Sequence, residues 1–214
     1  MKLRVVELLL VTTIPTMVLA HDGWPSFQLM VITLIGGTLA AGGANAINMY
    51  IDRDIDKLMS RTKNRPLVTG AISPRAAMIF AVTLEIIAFC VLFIGANLLA
   101  ACLAISATLF YVFVYSLWLK RTSKQNIVIG GAAGAMPVLV GWAAVADSLT
   151  WAPVVLFVVI FLWTPPHFWA LAIRHHDDYK AAGVPMLPVV ESLERTVRSM
   201  TTYAALLTIS TLVL

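Results

Sequence analysis

The sequence predicts an all-α bundle of seven membrane-spanning helices, and three observations support this fold. Apolar residues make up 60% of the chain and charged residues only 12%, a composition outside the usual range of soluble domains. Apolar runs of roughly 17 to 25 residues, long enough to cross a bilayer, recur along the whole chain. The Lys and Arg residues lie in alternate segments between these runs. We therefore expect a single transmembrane domain over residues 1–214.

Each predicted span follows from an apolar run and its boundaries. The first run follows Lys2 and Arg4 as in a signal peptide, but similar runs continue to the end of the chain, so we expect a retained helix. The third and fourth runs are contiguous and are divided at Gly95–Asn97, the turn-forming cluster between them. The last run reaches Leu214 without a capping residue, which suggests a truncated C-terminus. The spans are predicted at 5–20, 27–49, 76–94, 98–118, 126–146, 152–173 and 197–214.

The fifteen Lys and Arg residues determine the predicted orientation. They lie at the N-terminus and after spans two, four and six, whereas 21–26, 95–97 and 147–150 contain none. Short loops rich in Lys and Arg remain in the cytoplasm, so these segments and the N-terminus are predicted to be cytoplasmic. Because the net charge of +4 serves topology, it does not indicate nucleic-acid binding.

An acidic segment at the cytoplasmic end of span two is the first candidate site. Asn48, Asp52 and Asp56 recur every four residues, which places three oxygen-bearing side chains on one helical face. Carboxylates at a helix C-terminus oppose the macrodipole and repel one another, so a cation is expected to compensate. Oxygen ligands on a partly open face suit Mg²⁺ completed by substrate phosphates. The alternative is a solvated helix end with ion pairs to Arg53 and Lys57.

A cationic cluster follows the acidic segment within a few residues. Arg61, Lys63 and Arg65 lie in five consecutive positions, and cations beside metal-binding acids suit a polyanion such as diphosphate. The alternative is a basic loop that only fixes topology.

Three stretches of the sequence resemble the UbiA superfamily of intramembrane prenyltransferases. Asn48, Asp52 and Asp56 look like its first acidic motif, and Lys120 and Arg121 look like a position that faces diphosphate. Within it, the three stretches closely resemble the branch that farnesylates protoheme, and the resemblance covers the whole chain. Because that family normally has about nine helices, the comparison implies that the last two are absent. The stretches are Asn45 to Leu67, Trp163 to Leu171 and Asp177 to Pro188.

The second acidic motif departs from the general superfamily pattern. Arg174 stands where an acid is expected, whereas Asp177 and Asp178 remain as candidates for a second metal-binding pole and for substrate binding. His175 and His176 are adjacent, and adjacent side chains on a helix point about 100° apart, so they do not easily share one ion.

His167 lies within span six, directly after Pro165 and Pro166. Prolines free backbone carbonyls one turn earlier, and such polarity is tolerated in lipid only beside a cavity or a neighbouring helix. A membrane histidine is therefore a functional candidate. It is expected to contact heme iron or a propionate or to move a proton, unless it simply hydrogen-bonds across helices.

The resemblance implies farnesyl transfer to heme in the inner membrane, with Asn48, Asp52, Asp56 and His167 as catalytic residues. Mg²⁺ is the expected cofactor, and farnesyl diphosphate and heme B are the expected substrates. Heme-oxidase assembly proteins are the expected protein partners. Two alternatives remain open. One is a prenyltransferase for a quinone precursor such as 4-hydroxybenzoate, and the other is a transporter in which Glu85 and His167 line a path. Transport sites usually lie near the membrane midplane, whereas these acids cluster at one face.

Overall fold

The computed structural model describes residues 3–213, with side chains described from Val11 onward. All regular secondary structure in this part of the chain is helical, and the segments named here are α1 to α11 in chain order. They are α1 (Leu3–His21), α2 (Phe27–Ile51), α3 (Arg53–Leu58), α4 (Pro66–Thr69), α5 (Pro74–Gly95), α6 (Leu98–Thr122), α7 (Asn126–Ala146), α8 (Trp151–Arg174), α9 (His176–Ala181), α10 (Leu187–Val190) and α11 (Leu193–Thr211).

The protein is a multi-pass membrane helical bundle. Five of the described helices, namely α2, α5, α6, α7 and α8, are long and apolar enough to cross a bilayer. The predicted first and last spans overlap α1 and α11, and α11 is not among these five helices. The described apolar part of α1, Val11–His21, is shorter than the other five. Leu214, the end of the last predicted span, lies outside the described residues.

The division between the third and fourth spans falls where the sequence predicts it, at Gly95–Asn97. Asn97 explains the break, because its side-chain oxygen accepts a hydrogen bond from the backbone N–H of Ala100 at 2.8 Å. This contact caps the first turn of α6. The amide group of Asn97 also donates to the carbonyl oxygen of Ala143 at 2.7 Å, which ties the turn to α7.

Small residues allow α2 and α5 to pack closely along their lengths. A Cβ atom at Gly36 would lie 2.5 Å from a carbon of Leu92, and one at Gly43 would lie 2.5 Å from the Oε1 atom of Glu85. Glu85 is buried between these helices and accepts a hydrogen bond from Thr108 of α6 at 3.2 Å. The core shared by α2, α5, α6 and α7 consists mainly of buried alanines.

A second apolar cluster lies at the end of the bundle that carries the two acidic motifs. Ile55 and Met59, from the segment after α2, pack with Val184 and Met186, from the segment after α9. The cluster therefore joins the two motifs, which are more than a hundred residues apart. Helix α8 ends at Arg174 and a new short helix begins at His176, so His167 and Asp177 lie on separate helices.

Candidate functional site

The acidic segment spans a break between two helices. Asp52 ends α2 with φ −87° and ψ 6°, and α3 begins at Arg53. The backbone N–H of Asp52 still donates to Asn48 at 2.9 Å, and that of Asp56 donates to Asp52 at 2.8 Å. These bonds preserve the helical four-residue step, so Asn48, Asp52 and Asp56 keep the spacing of one face.

The three side chains are buried, whereas the sequence suggested a partly open face. Asn48, Asp52 and Asp56 are 2%, 0% and 3% exposed. Neighbouring segments enclose them: Ser116 of α6 contacts Asn48, and buried Thr62, from the loop after α3, donates to the backbone oxygen of Asp56 at 3.0 Å. A helix end that looks exposed in sequence is thus enclosed by its neighbours.

Each carboxylate of the segment faces a base. Lys120 binds Asp52, Arg65 binds Asp56 at 2.5 Å, and Arg121 forms a two-pronged contact with Asp54 at 2.7 and 2.8 Å. Arg53, named in the alternative interpretation, donates a hydrogen bond to the carbonyl oxygen of Tyr50 at 2.9 Å and lies 4.6 Å from the centre of the Tyr50 ring. The buried charges are instead balanced by bases that follow later in the chain.

The two oxygens of Asp52 have different surroundings. Oδ2 accepts a hydrogen bond from Asn48 at 2.8 Å and also binds the ammonium of Lys120. Oδ1 is buried without a hydrogen-bond partner, and a nitrogen of Arg121 lies 3.8 Å from it. A buried carboxylate oxygen without a donor is costly, so Oδ1 is the atom best suited to accept an added cation.

The cationic residues of the site occupy two regions. Arg61 and Lys63 are exposed and Arg65 is half-buried, all in the loop between α3 and α4, whereas Lys120 and Arg121 end α6. The Arg121 guanidinium holds the pKa of Asp54 well below its usual range. Burial raises the pKa of Tyr179, and the positive charge of nearby Arg61 opposes that shift. Arg61 therefore lies close enough to α9 to act on it electrostatically.

The second acidic motif binds the loop between α3 and α4 through Asp178. Both carboxylate oxygens of Asp178 accept hydrogen bonds from Ser60, one from the backbone N–H at 3.1 Å and one from the hydroxyl at 2.8 Å. These donors lower the pKa of Asp178. Asp177 is exposed and contacts Nδ1 of His176 at 3.0 Å. Among the side chains that the structure describes, from Val11 to residue 213, no three His, Cys, Asp or Glu residues gather into a metal-binding cluster.

His167 lies on an exposed face of α8. Its ring stacks on Trp163 with centroids 4.4 Å apart and meets the edge of Phe168 at 5.3 Å. Neighbouring Thr164 and Pro165 are buried. The imidazole therefore faces outward from the described helices, and its expected role with heme stays a prediction.

Sequence reasoning missed two serines that organise the site. Ser116 is fully buried and binds Asn48, and Ser60 binds Asp178. The available signal for Ser116 was its position as the one serine in the run Phe110–Leu119, four residues before Lys120. Ser60 offered no signal, because a serine in a polar loop is ordinary.

Comparisons with known proteins agree with this architecture. The sequence model of the family described as "UbiA prenyltransferase family" matches residues 9–214. A solved structure described as a UbiA homolog from Archaeoglobus fulgidus bound to GPP and Mg²⁺ superposes with a TM-score of 0.77 at 24% identity. The match covers 97% of this chain and 74% of that one, and it shows the shared fold.

Several curated relatives are much more similar in sequence. A protein named protoheme IX farnesyltransferase from Parafrankia is 58% identical over 97% of this chain. Another of that name from Frankia casuarinae is 57% identical over 95% of this chain. The matched regions cover 66% and 71% of those two relatives, so the chain spans about two thirds of their length.

Proposed function

The chain belongs to the UbiA prenyltransferase family, and from that premise we propose that it transfers the farnesyl group of farnesyl diphosphate to protoheme IX. The products are heme O and diphosphate. The observation that carries this proposal is the 57–58% identity to relatives named protoheme IX farnesyltransferase. The C–O bond of the allylic diphosphate breaks, the farnesyl carbon bonds to the heme vinyl group, and water adds to give the hydroxyethylfarnesyl side chain.

Mg²⁺ fits the acidic segment as the cofactor. The unpartnered Oδ1 of Asp52 offers a hard oxygen ligand, and Asp56 lies one helical turn further along the same face. Mg²⁺ is commonly held by one or two carboxylates and completed by waters and substrate phosphates. When bound, it supplies positive charge that stabilises the leaving diphosphate.

The bases around the acidic segment are proposed to bind the diphosphate. Lys120 and Arg65 now neutralise Asp52 and Asp56. A cation at these carboxylates would release both bases to pair with phosphate oxygens. Exposed Arg61 and Lys63 extend the positive surface along the loop, and Arg121 extends it at the end of α6. Cations placed where negative charge develops contribute strongly to catalysis.

Asp177 and Asp178 are proposed to support the donor side of the site. Asp178 holds the basic loop through two hydrogen bonds from Ser60. A direct metal contact by Asp178 therefore requires these hydrogen bonds to break. Asp177 is exposed and available to a metal ion or its waters. A metal-binding role for this pair remains part of the proposal.

The membrane and partner assignments follow from the same family. The segregation of Lys and Arg favours the plasma membrane with the N-terminus and the acidic segments in the cytoplasm. Heme-oxidase assembly proteins remain expected partners. The transporter alternative is disfavoured, because Glu85 is engaged by Thr108 inside the bundle whereas His167 lies on an outer face of α8.

One assay tests the proposed function. Membranes carrying the protein are supplied with farnesyl diphosphate, heme B and Mg²⁺, and the pigments are analysed by mass. We expect heme O in these membranes and none in membranes that lack the protein or contain a Mg²⁺ chelator. Prenylated 4-hydroxybenzoate in a parallel reaction, without heme O, would instead favour the quinone-precursor alternative.

His167→Ala is expected to weaken heme binding about tenfold, the scale of one lost contact to a charged group or metal. Mg²⁺-dependent binding of farnesyl diphosphate should persist, because His167 lies in α8, outside the acidic segment. Absorbance titration with heme and a separate donor-binding assay measure the two effects. His21→Ala, at the end of α1, is the matched control. Parental heme affinity and heme O formation in His167→Ala would exclude an acceptor role.

A further inference from the structure

Helix α6 changes its hydrogen-bonding pattern just before it reaches the acidic segment. Residues Leu98–Leu109 are α-helical, whereas Phe110–Leu119 form a π-helix. Ten π-helical residues are unusual, since π segments are rare and are found mostly as single turns at functional sites. Inside this segment the hydroxyl of Ser116 donates to the carbonyl oxygen of Tyr111, five residues earlier, at 2.9 Å.

That bond determines how Ser116 meets Asn48. A serine hydroxyl has one hydrogen to donate, and Ser116 gives it to Tyr111. Its oxygen can therefore only accept from Asn48, whose Nδ2 lies 3.0 Å away. Asn48 must then point its NH₂ group toward Ser116. The hydrogen bond decides this orientation, because the oxygen and nitrogen ends of an amide have nearly the same shape.

The oriented amide in turn holds Asp52. Its Nδ2 also lies 2.8 Å from Oδ2 of Asp52, and both partners are almost completely buried. Had the amide been reversed, its carbonyl oxygen would face the carboxylate and repel it. With Oδ2 bound by Asn48 and Lys120, the carboxylate is fixed in rotation and Oδ1 is left without a hydrogen-bond donor.

We propose that Ser116 is a positioning residue of the transferase, which acts through Asn48 to hold Asp52 with Oδ1 presented to the metal. The π-helical register serves this purpose at two points. It places the Ser116 hydroxyl beside the Asn48 amide. Four residues later, it places the ammonium of Lys120 beside the Asp52 carboxylate. This inference rests on the proposed role of Asp52 in binding Mg²⁺.

The test uses Ser116→Ala, which removes the acceptor of the Asn48 amide with little change in volume. Membranes carrying the protein are titrated with Mg²⁺ while binding of labelled farnesyl diphosphate is measured without heme. The Mg²⁺ midpoint should rise about tenfold, as for one lost hydrogen bond in a charged network. The turnover number at saturating Mg²⁺ should fall by less than about threefold, because the ligands themselves remain.

Two matched variants separate positioning from simple packing. Ser106→Ala removes a hydroxyl of the same helix that binds only the Cys102 carbonyl, so its Mg²⁺ midpoint should equal the parental value. In an Asn48→Ala background, Ser116→Ala should add no further shift, since its effect passes through Asn48. If Ser116→Ala does not accumulate, Ser116→Cys keeps the shape with a weaker hydrogen-bonding group and should shift the midpoint in the same direction.

The outcomes distinguish this inference from the proposed function. An unchanged Mg²⁺ midpoint in Ser116→Ala, or equal shifts with and without Asn48, would overturn the positioning role. Donor binding by the parental protein that does not depend on Mg²⁺ would instead overturn the proposed metal site, whatever Ser116 does.

Discussion

Asp52→Asn is expected to lower heme O formation by a factor on the order of 1,000. Asparagine keeps the shape of the side chain and can still accept a hydrogen bond from Asn48 through its amide oxygen. It lacks the negative charge that the proposed Mg²⁺ site requires at Oδ1. The turnover number, measured at saturating donor and Mg²⁺, reports this loss.

Asp147→Asn is the matched control for the Asp52 variant. Asp147 caps the C-terminal end of α7 with a positive φ of 46°, a conformation that asparagine also adopts readily. Its turnover should equal that of the parental protein. Near-parental turnover of Asp52→Asn at saturating Mg²⁺ would remove Asp52 from the proposed site.

Lys120→Met should lower kcat/KM for farnesyl diphosphate by about 100-fold, the scale of one lost charged stabiliser of the leaving group. Lys120 is placed for this role because its ammonium reaches the same carboxylate that is proposed to hold Mg²⁺. Heme affinity should remain unchanged. Equal losses for both substrates would point to a general structural defect instead.

Lys124→Met provides the comparison for Lys120→Met. Lys124 follows four residues later but pairs with Glu191 at 2.6 Å, outside the acidic segment, so the kinetics of Lys124→Met should equal those of the parental protein.

The free energy of unfolding gives a second check on the role of Lys120. Lys120→Met removes the base that binds Oδ2 of the buried Asp52 and leaves the 3.8 Å contact with Arg121 as its ion pair. This variant should cost on the order of 3 kcal/mol of unfolding free energy, whereas combining it with Asp52→Asn should recover part of that loss.

The acidic segment shows what could be predicted from the sequence and what could not. Its four-residue spacing survives the break at Asp52, because the backbone bonds on both sides keep the helical step. Its predicted exposure was wrong. Apolar and polar positions within one helix do not reveal that Ser116 will contact Asn48 or that Thr62 will contact the backbone of Asp56.

The charge partners show the same division. The sequence placed Arg65 in a cationic cluster, and the family resemblance marked Lys120 and Arg121 as a position that faces diphosphate. Their pairing with Asp56, Asp52 and Asp54 depends on how α6 and the loop after α3 approach α2. The hydrogen bonds between Ser60 and Asp178 likewise join residues 118 positions apart. Neither pairing is encoded by local spacing.

The sequence by itself determined that this chain is a membrane helical bundle, where its helices turn, and which chemical groups gather near one end. Those properties follow from the length of apolar runs against the bilayer and from the placement of Lys and Arg, both of which are local. Only the tertiary structure decided which base faces which acid, that the acids are buried, and which way the Asn48 amide points. These features depend on contacts between residues distant in sequence, such as Asn48 and Ser116, 68 positions apart, and such contacts form only when the helices pack.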